Sequence, residues 1–381
     1  MLRTKEFLYV LVLPIFFFQF SVAQTKRVHF IVTTQAKPNA SKVLSLAGSM
    51  NNWNPADTNY RFSESPEGYE LKVDLPPGTY EYKITRCSWE TVETAANGEP
   101  VYNRSLLLKN DTVINQNVQQ WQDNFETPLR RHTASKNVMI IDTAFNVPQL
   151  GGTRRIWVYL PSDYQSSVKR YPVIYMHDGQ NLFDSYTAGY GEWGVDELMD
   201  SLFLQKVPMA IVVGIDHFGK DRLTEYNPWS NERFGKGRGD EYADFLAQTL
   251  KPFIDKKLRT LSSAKNTIVA GSSMGGLISM YTAAKYPEVF GKAGVFSPSF
   301  WIAPEVYNFV KTTKPAKQRF YFVAGDLESN DMVPDMQKMY DQLLVQGRNK
   351  KRIFLKHAPD GRHSEWFWHR EFPDFYKWIM N

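Results

Sequence analysis

The stretch Asn266-Thr-Ile-Val-Ala-Gly-Ser-Ser-Met-Gly-Gly276 constrains this chain more than any other. Ile268 to Ala270 reads as the end of a buried strand, and Leu277 to Tyr286 as a helix that stops before Pro287. Between them, Gly271-Ser272-Ser273-Met274-Gly275 fits Gly-x-Ser-x-Gly with Ser273 at its centre. A strand that passes into a helix through so tight a turn holds its central residue in a strained conformation and lifts that side chain clear of the sheet. Gly271 and Gly275 are expected to supply the missing bulk on either side. The Ser273 hydroxyl then sits at the positive end of the new helix. A Gly-rich loop entering a helix is the plainer alternative, so the reading depends on what surrounds it.

From residue 136 to 381, apolar strands alternate with helical stretches. Arg155–Leu160, Tyr171–Met176, Met209–Ile215, Ala293–Phe296, Arg319–Ala324 and Arg352–Lys356 read as strands. Trp193–Leu204, Asp240–Leu258 and Pro334–Gln346 read as helices, and Glu365–Met380 as a helix broken near Pro373. Such alternation predicts a doubly wound, mainly parallel α/β sheet covered on both faces. Ligands in such sheets bind at the carboxyl ends of the strands.

A serine nucleophile needs a base. His363 follows the last strand, in Gly361-Arg-His-Ser-Glu365, and has the chain order that the α/β-hydrolase arrangement requires. His357, His369, His217 and His177 are its rivals. The acid that orients the imidazole is expected in the loop Gly325 to Asp331, which offers Asp326, Glu328 and Asp331. Spacing leaves these three open, and a carboxylate there also suits a helix cap. An oxyanion hole takes two backbone N–H groups. Met274 supplies one, and Gln180 or Gly179, in the loop Tyr175 to Phe183, supplies the other. His177-Asp178 is too small a ligand set for a metal, and no metal or cofactor is expected.

The first hundred residues are different. Val28–Thr34, Lys42–Ala47, Tyr69–Leu75, Thr79–Thr85 and Leu106–Ile114 are β-prone, with a turn at Pro76-Pro77-Gly78 and no helical period. A small all-β, immunoglobulin-like sandwich over 25–122 is predicted. Gln116 to Ser135 is polar, with Pro128 and the basic group Arg130-Arg131-His132, and the linker is placed at 123–135. Arg3 and Lys5 before an apolar run from Phe7 to Phe20, then Ser21-Val22-Ala23, predict a secretory signal over 1–23. Export follows, periplasmic or secreted. No other run approaches a membrane span. A net charge of +5 on 381 residues, with no basic run longer than Lys350-Lys351-Arg352, gives no reason to expect nucleic acid. Cys87, the only cysteine, reads as a small buried side chain and allows no internal disulfide.

Two resemblances sharpen these expectations. Ala47-Gly-Ser-Met-Asn-Asn-Trp-Asn-Pro55, Leu75-Pro-Pro-Gly-Thr-Tyr-Glu-Tyr-Lys83, Trp89-Glu and Asn103-Arg104 resemble the starch- and glycogen-binding modules of carbohydrate-active enzymes. That implies a sugar platform at Trp89, with Trp53 in the core and polysaccharide as a partner. The segment between Trp89 and Asn103 departs from the pattern. In the second half, Tyr171-Pro-Val-Ile-Tyr-Met-His-Asp-Gly-Gln-Asn-Leu-Phe-Asp184, Trp193-Gly-Val-Asp-Glu197, Glu225-Tyr-Asn-Pro-Trp229, Gly271-Ser-Ser-Met-Gly-Gly276, Phe296-Ser-Pro-Ser-Phe-Trp301 and Gly361-Arg-His-Ser-Glu-Trp366 resemble the putative esterase family. This family includes esterase D-like hydrolases, enterochelin esterases, and the acetyl-xylan and feruloyl esterases of carbohydrate esterase family one. The resemblance implies an α/β-hydrolase with a metal-free Ser–acid–His triad. Its Gly-x-x-acid turn falls on Gly325-Asp-Leu-Glu328 and selects Glu328. Trp193, Trp229, Trp301 and Trp366 fall in motifs flanking the cleft, and the first three are taken as substrate-binding. The expected reaction is hydrolysis of a small-molecule or carbohydrate ester, acetyl or feruloyl. A siderophore esterase, an acyltransferase and a non-catalytic sugar-binding protein are the alternatives.

Overall fold

The computed structural model describes residues 25–34, 43–101, 103–125, 131–232 and 234–381. The expected signal lies outside them. Two compact units, Met1–Leu129 and Arg130–Asn381, divide the chain.

In the first unit, one sheet holds Ser63–Ser65, Gly68–Leu75, Lys26–Thr34 and Thr112–Val118 in that order, and another holds Ser45–Gly48, Gly78–Thr85 and Arg104–Leu108. Val28, Phe30 and Val32 alternate into the core, where Tyr82, Ile84 and Trp121 also lie. Alternation of this kind is the pattern of a strand with one buried face. Pro76-Pro77 therefore carries the chain from one sheet to the other. The single strand expected over Leu106–Ile114 is two strands in different sheets. Lys109-Asn110-Asp111 makes the turn between them, and Asp111 Oδ1 accepts the Arg27 N–H at 3.0 Å, tying the turn to the first strand.

Gln120–Trp121 pairs with Glu93–Thr94 and Trp121 is fully buried, so the polar stretch from Gln116 to Trp121 is part of this unit's strands. Two further expectations change. Residues 131–135 are not free linker: Asp184 accepts His132 Nδ1 at 2.7 Å and the Thr133 N–H at 3.1 Å, and Asp196 accepts the Ser135 N–H at 2.6 Å. Cys87 is only half-buried and has φ 64°, which its place between a strand and a turn imposes.

The second unit is built on eight strands: β1 Val138–Val147, β2 Gly152–Tyr159, β3 Val173–His177, β4 Ile211–Ile215, β5 Thr267–Ser272, β6 Lys292–Phe296, β7 Arg319–Gly325 and β8 Ile353–Ala358. Their order is β1-β2-β4-β3-β5-β6-β7-β8. β1, β2 and β4 pair antiparallel, and from β4 onward every pair is parallel. Every residue of β3, β4 and β5 is buried, as helices on both faces require. β1 escaped the sequence reading because it is an edge strand whose apolar Met139 and Ile140 face solvent.

The helix expected over Asp240–Leu258 runs as Gly239–Asp244, a π-helical turn Phe245–Leu250, and Lys251–Lys257. Pro252, which has no N–H to give, follows the π turn at once. The C-terminal helix Glu365–Met380 is unbroken at Pro373. Among the described residues, no helix is long and apolar enough to cross a membrane.

Candidate active site

β5 ends at Ser272 and a helix, Met274–Lys285, begins two residues later. The single residue between them, Ser273, has φ 60° and ψ −122°. A non-glycine residue holds such a conformation only where its surroundings enforce it, and such strain gathers at functional sites. Here the Ser273 N–H donates to Phe296 O at 2.9 Å, and Ser273 O accepts the Ser299 N–H at 3.1 Å. The loop after β6 thus grips the elbow from both sides.

The glycines divide differently from expectation. A Cβ on Gly271 would lie 2.8 Å from His177 Cδ2, so that position is closed as predicted. On Gly275 it would meet nothing nearer than 3.4 Å. The crowded position on the helix side is Gly276, where a Cβ would come 2.8 Å from Phe296 O and 3.1 Å from Pro298 Cα.

Glu328 and His363 meet. The turn after β7 aims Glu328 inward with its side chain 1% exposed, and its Oε2 receives His363 Nδ1 at 2.7 Å. Its Oε1 accepts the Gly325 N–H at 2.6 Å and the Ser297 hydroxyl at 2.7 Å. The loops carrying acid and base touch at Gly325 and Gly361, where a Cβ on either would overlap the other's backbone. Asp326 and Asp331 are exposed. With Nδ1 occupied by an acceptor, the His363 ring keeps its proton there and leaves Nε2 free to accept. The Ser273 hydroxyl is hydrogen-bonded to Ser299 Oγ at 3.2 Å, and among the described residues none joins it to His363. Nucleophile–base bonds are commonly long at rest and tighten with substrate bound.

Among the described residues, none of the other histidines bonds Glu328. His177 lies fully buried beneath the elbow, its Nδ1 3.0 Å from Tyr242 Oη, and burial pushes its pKa down to about 3. His369 Nδ1 donates to Trp193 O at 2.6 Å; His217 bonds Gln180 Oε1 at 3.3 Å through its backbone N–H, and its ring Nδ1 has no partner among the described residues. His357 is exposed at the end of β8.

Met274 is the first residue of its helix, so its N–H has no partner within that helix. Gln180 lies in the 3-10 turn Gly179–Asn181 that follows β3. Asp178, with φ 58°, opens that turn and is clamped by Arg222 through two bonds of 2.6 and 2.7 Å. Burial alone would raise the Asp178 carboxyl, but the Arg222 guanidinium outweighs it and holds it below its ordinary value. Glu365, beside the base, is pushed up to about 7 by burial, against the pull of His363.

The aromatic expectations need correction. Trp193 is 3% exposed, stacked on Trp368 and edge-on to Phe296, so no face is free for a substrate. Trp229 packs edge-on against Tyr281 and Phe309 at the margin of the core. Trp301, 52% exposed two residues beyond Ser299, and Trp366, 55% exposed, keep open faces. In the first unit Trp53 is half-buried with φ 58° and lies 6.3 Å from exposed Trp89, so it belongs to that surface pair and not to the core. Three residues went unnoticed as site members: Ser299 on the nucleophile, and Ser297 and Trp368 behind the acid. Ser297 and Ser299 fall within Phe296-Ser-Pro-Ser-Phe-Trp301 and Trp368 follows the histidine motif, but only the packing gives them partners. Among the described residues, Glu192, Asp196 and Glu197 bring ligand atoms within 4.8 Å of one another, a grouping the sequence reading also missed.

Comparison with known proteins adds four findings. Residues 148–377 match the family described as Putative esterase. The uncharacterized protein YbbA of Bacillus subtilis is 27% identical over 244 residues, covering 60% of this chain and 93% of that protein. An endo-1,4-beta-xylanase/feruloyl esterase of Xylanibacter ruminicola is 28% identical over 272 residues, covering 68% of this chain and 32% of its own. Among solved structures, the enterobactin esterase of Shigella flexneri superposes with a TM-score of 0.54 at 17% identity, covering 90% of this chain and 89% of that one.

Proposed function

This chain belongs to the putative esterase family and is a carboxylic ester hydrolase, and from that premise we propose that it works through an acyl-enzyme on Ser273. Ser273 Oγ attacks the ester carbonyl carbon while its proton passes to His363 Nε2. The carbonyl oxygen takes up the negative charge between the Met274 and Gln180 N–H groups. Collapse expels the alcohol, which leaves with the proton held on His363. Water then gives a proton to His363 and attacks the acyl carbon, and Ser273 departs with that proton. Glu328 holds the imidazole in the tautomer that accepts at Nε2. The observation that supports this reading is the 2.7 Å contact between His363 Nδ1 and a buried Glu328. No step draws on a metal.

Turnover of p-nitrophenyl acetate by wild type and Ser273→Ala tests it. Loss of the nucleophile is expected to cost several orders of magnitude in kcat; equal rates would sink the assignment.

For the substrate we propose an acylated carbohydrate, acetyl or feruloyl, met outside the cytoplasm. The feruloyl esterase relative and the Trp53–Trp89 pair, with Trp89 exposed, support this. Flat rings of this kind take the apolar face of a sugar. A panel of acetylated, feruloylated and siderophore esters, run with and without a competing alcohol, separates hydrolase from transferase and one acyl class from another. Retention on immobilised starch or xylan that weakens about tenfold in Trp89→Ala is the expected sign of sugar binding, and unchanged retention counts against it.

A further inference from the structure

Trp368 touches both halves of the acid–base pair. The indole is 5% exposed and packs edge-on against the His363 ring, centroids 5.0 Å apart at 84°. Its other neighbour is Trp193, stacked at 5.6 Å, which is itself wedged against Phe296. The ring is therefore held on two sides. Its Nε1 donates to Ser297 Oγ at 2.9 Å.

The chemistry of that bond sets a direction. An indole N–H can only donate. It occupies a lone pair of the Ser297 hydroxyl and leaves the hydroxyl proton for one further acceptor, Glu328 Oε1 at 2.7 Å. The Ser297 backbone is equally fixed: the residue is fully buried and its N–H donates to Val323 O at 2.8 Å. Its φ is 42°, in the left-handed region that glycine adopts without cost. A glycine would satisfy that backbone and lose only the hydroxyl, so the strain is kept for the side chain.

We propose that Trp368, acting through Ser297, is a positioning residue that fixes the plane of Glu328 and thereby the direction of His363. The proposal rests on the Ser273–His363–Glu328 reading above. With Ser297, Gly325 and His363 all donating to it, the carboxylate has no free rotation. Without the first, it turns about the Gly325 bond and the imidazole swings with it.

Trp368→Phe keeps an aromatic ring in that place but removes the N–H together with part of the indole's packing, and Ser297→Ala removes the hydroxyl. Each is expected to lower kcat on p-nitrophenyl acetate about tenfold, with KM within about twofold of wild type. The double variant is expected to be no worse than the poorer single, because both break one chain of bonds. A packing role alone makes the two losses multiply, and a bond without consequence leaves Ser297→Ala at wild-type kcat; either result overturns the proposal. Ser297→Gly guards against misfolding, since it suits φ 42° and still lacks the hydroxyl; wild-type kcat in that variant also overturns it. Ser273→Ala separates the two levels. If Ser273→Ala retains turnover, the triad reading fails and the relay with it. If Ser273→Ala is inactive while the relay variants turn over normally, the relay alone fails.

Discussion

At the scale of single residues, the elbow shows which glycine is indispensable. Gly276 lies against Phe296 O and Pro298 Cα, backbone atoms of the same loop that hydrogen-bonds Ser273 on both sides. An added methyl must push that loop away, and overpacking of this kind costs about 1–3 kcal/mol. Gly276→Ala is thus expected to lower both thermal stability and turnover. Gly275→Ala has room, and Ala gains about 1 kcal/mol over Gly within a helix; its thermal midpoint is expected to equal or exceed wild type. A midpoint drop in Gly275→Ala as large as that in Gly276→Ala refutes this division. Both glycines were legible as a motif. Which of the two is closed was not, because the closing atoms lie on β6 and its loop, some twenty residues away in sequence.

At the scale of elements, the C-terminal helix shows packing overriding propensity. Pro373 predicted a break, yet Glu365–Met380 is continuous. Phe367, Trp368, Phe372, Phe375, Tyr376 and Ile379 are all buried, a stripe recurring at helical spacing. Each buried aromatic or aliphatic side chain contributes roughly 1.5–3 kcal/mol, which together outweighs the roughly 3 kcal/mol that an interior proline costs. Pro373→Ala restores a backbone donor and is expected to raise stability by about 1–2 kcal/mol, read as a higher thermal midpoint; a fall contradicts this account. The alternation of strands and helices was readable because central strands are uniformly apolar. The edge strand β1 was not, since its apolar Met139, Ile140 and Ala144 face water.

At the scale of the whole molecule, buried ionisable groups set how stability follows pH. Glu365 holds its proton to about 7 in the folded chain, against an ordinary value of 4.5. Its contribution is therefore fully present below 4.5 and is lost as pH rises through 7. Asp196, also pushed up to about 7 by burial, acts in the same sense. Buried His177, pushed down to about 3 from 6.5, acts oppositely: its contribution is present above 6.5 and is lost as pH falls toward 3. Glu365→Gln is expected to match wild type at pH 4 and to unfold a few degrees higher at pH 8, as about 1–3 kcal/mol implies. Equal midpoints at pH 8 would show that the carboxyl is not held in this way. The α/β class of the larger unit, the strand–turn–helix around Ser273 and the chain order of serine, acid and histidine are all written in the order of amino acids. These rest on hydrophobic period and turn residues, which act between near neighbours. The turn Gly325-Asp-Leu-Glu328 already pointed to Glu328 by resemblance. The tertiary fold brought that carboxylate to His363, buried Trp193 as packing and paired Trp53 with Trp89. It likewise brought Ser297, Ser299 and Trp368 to the site. Those choices depend on which loops meet at Gly325 and Gly361 and on which ring fills the space behind them, contacts between residues far apart in the chain that no local pattern encodes.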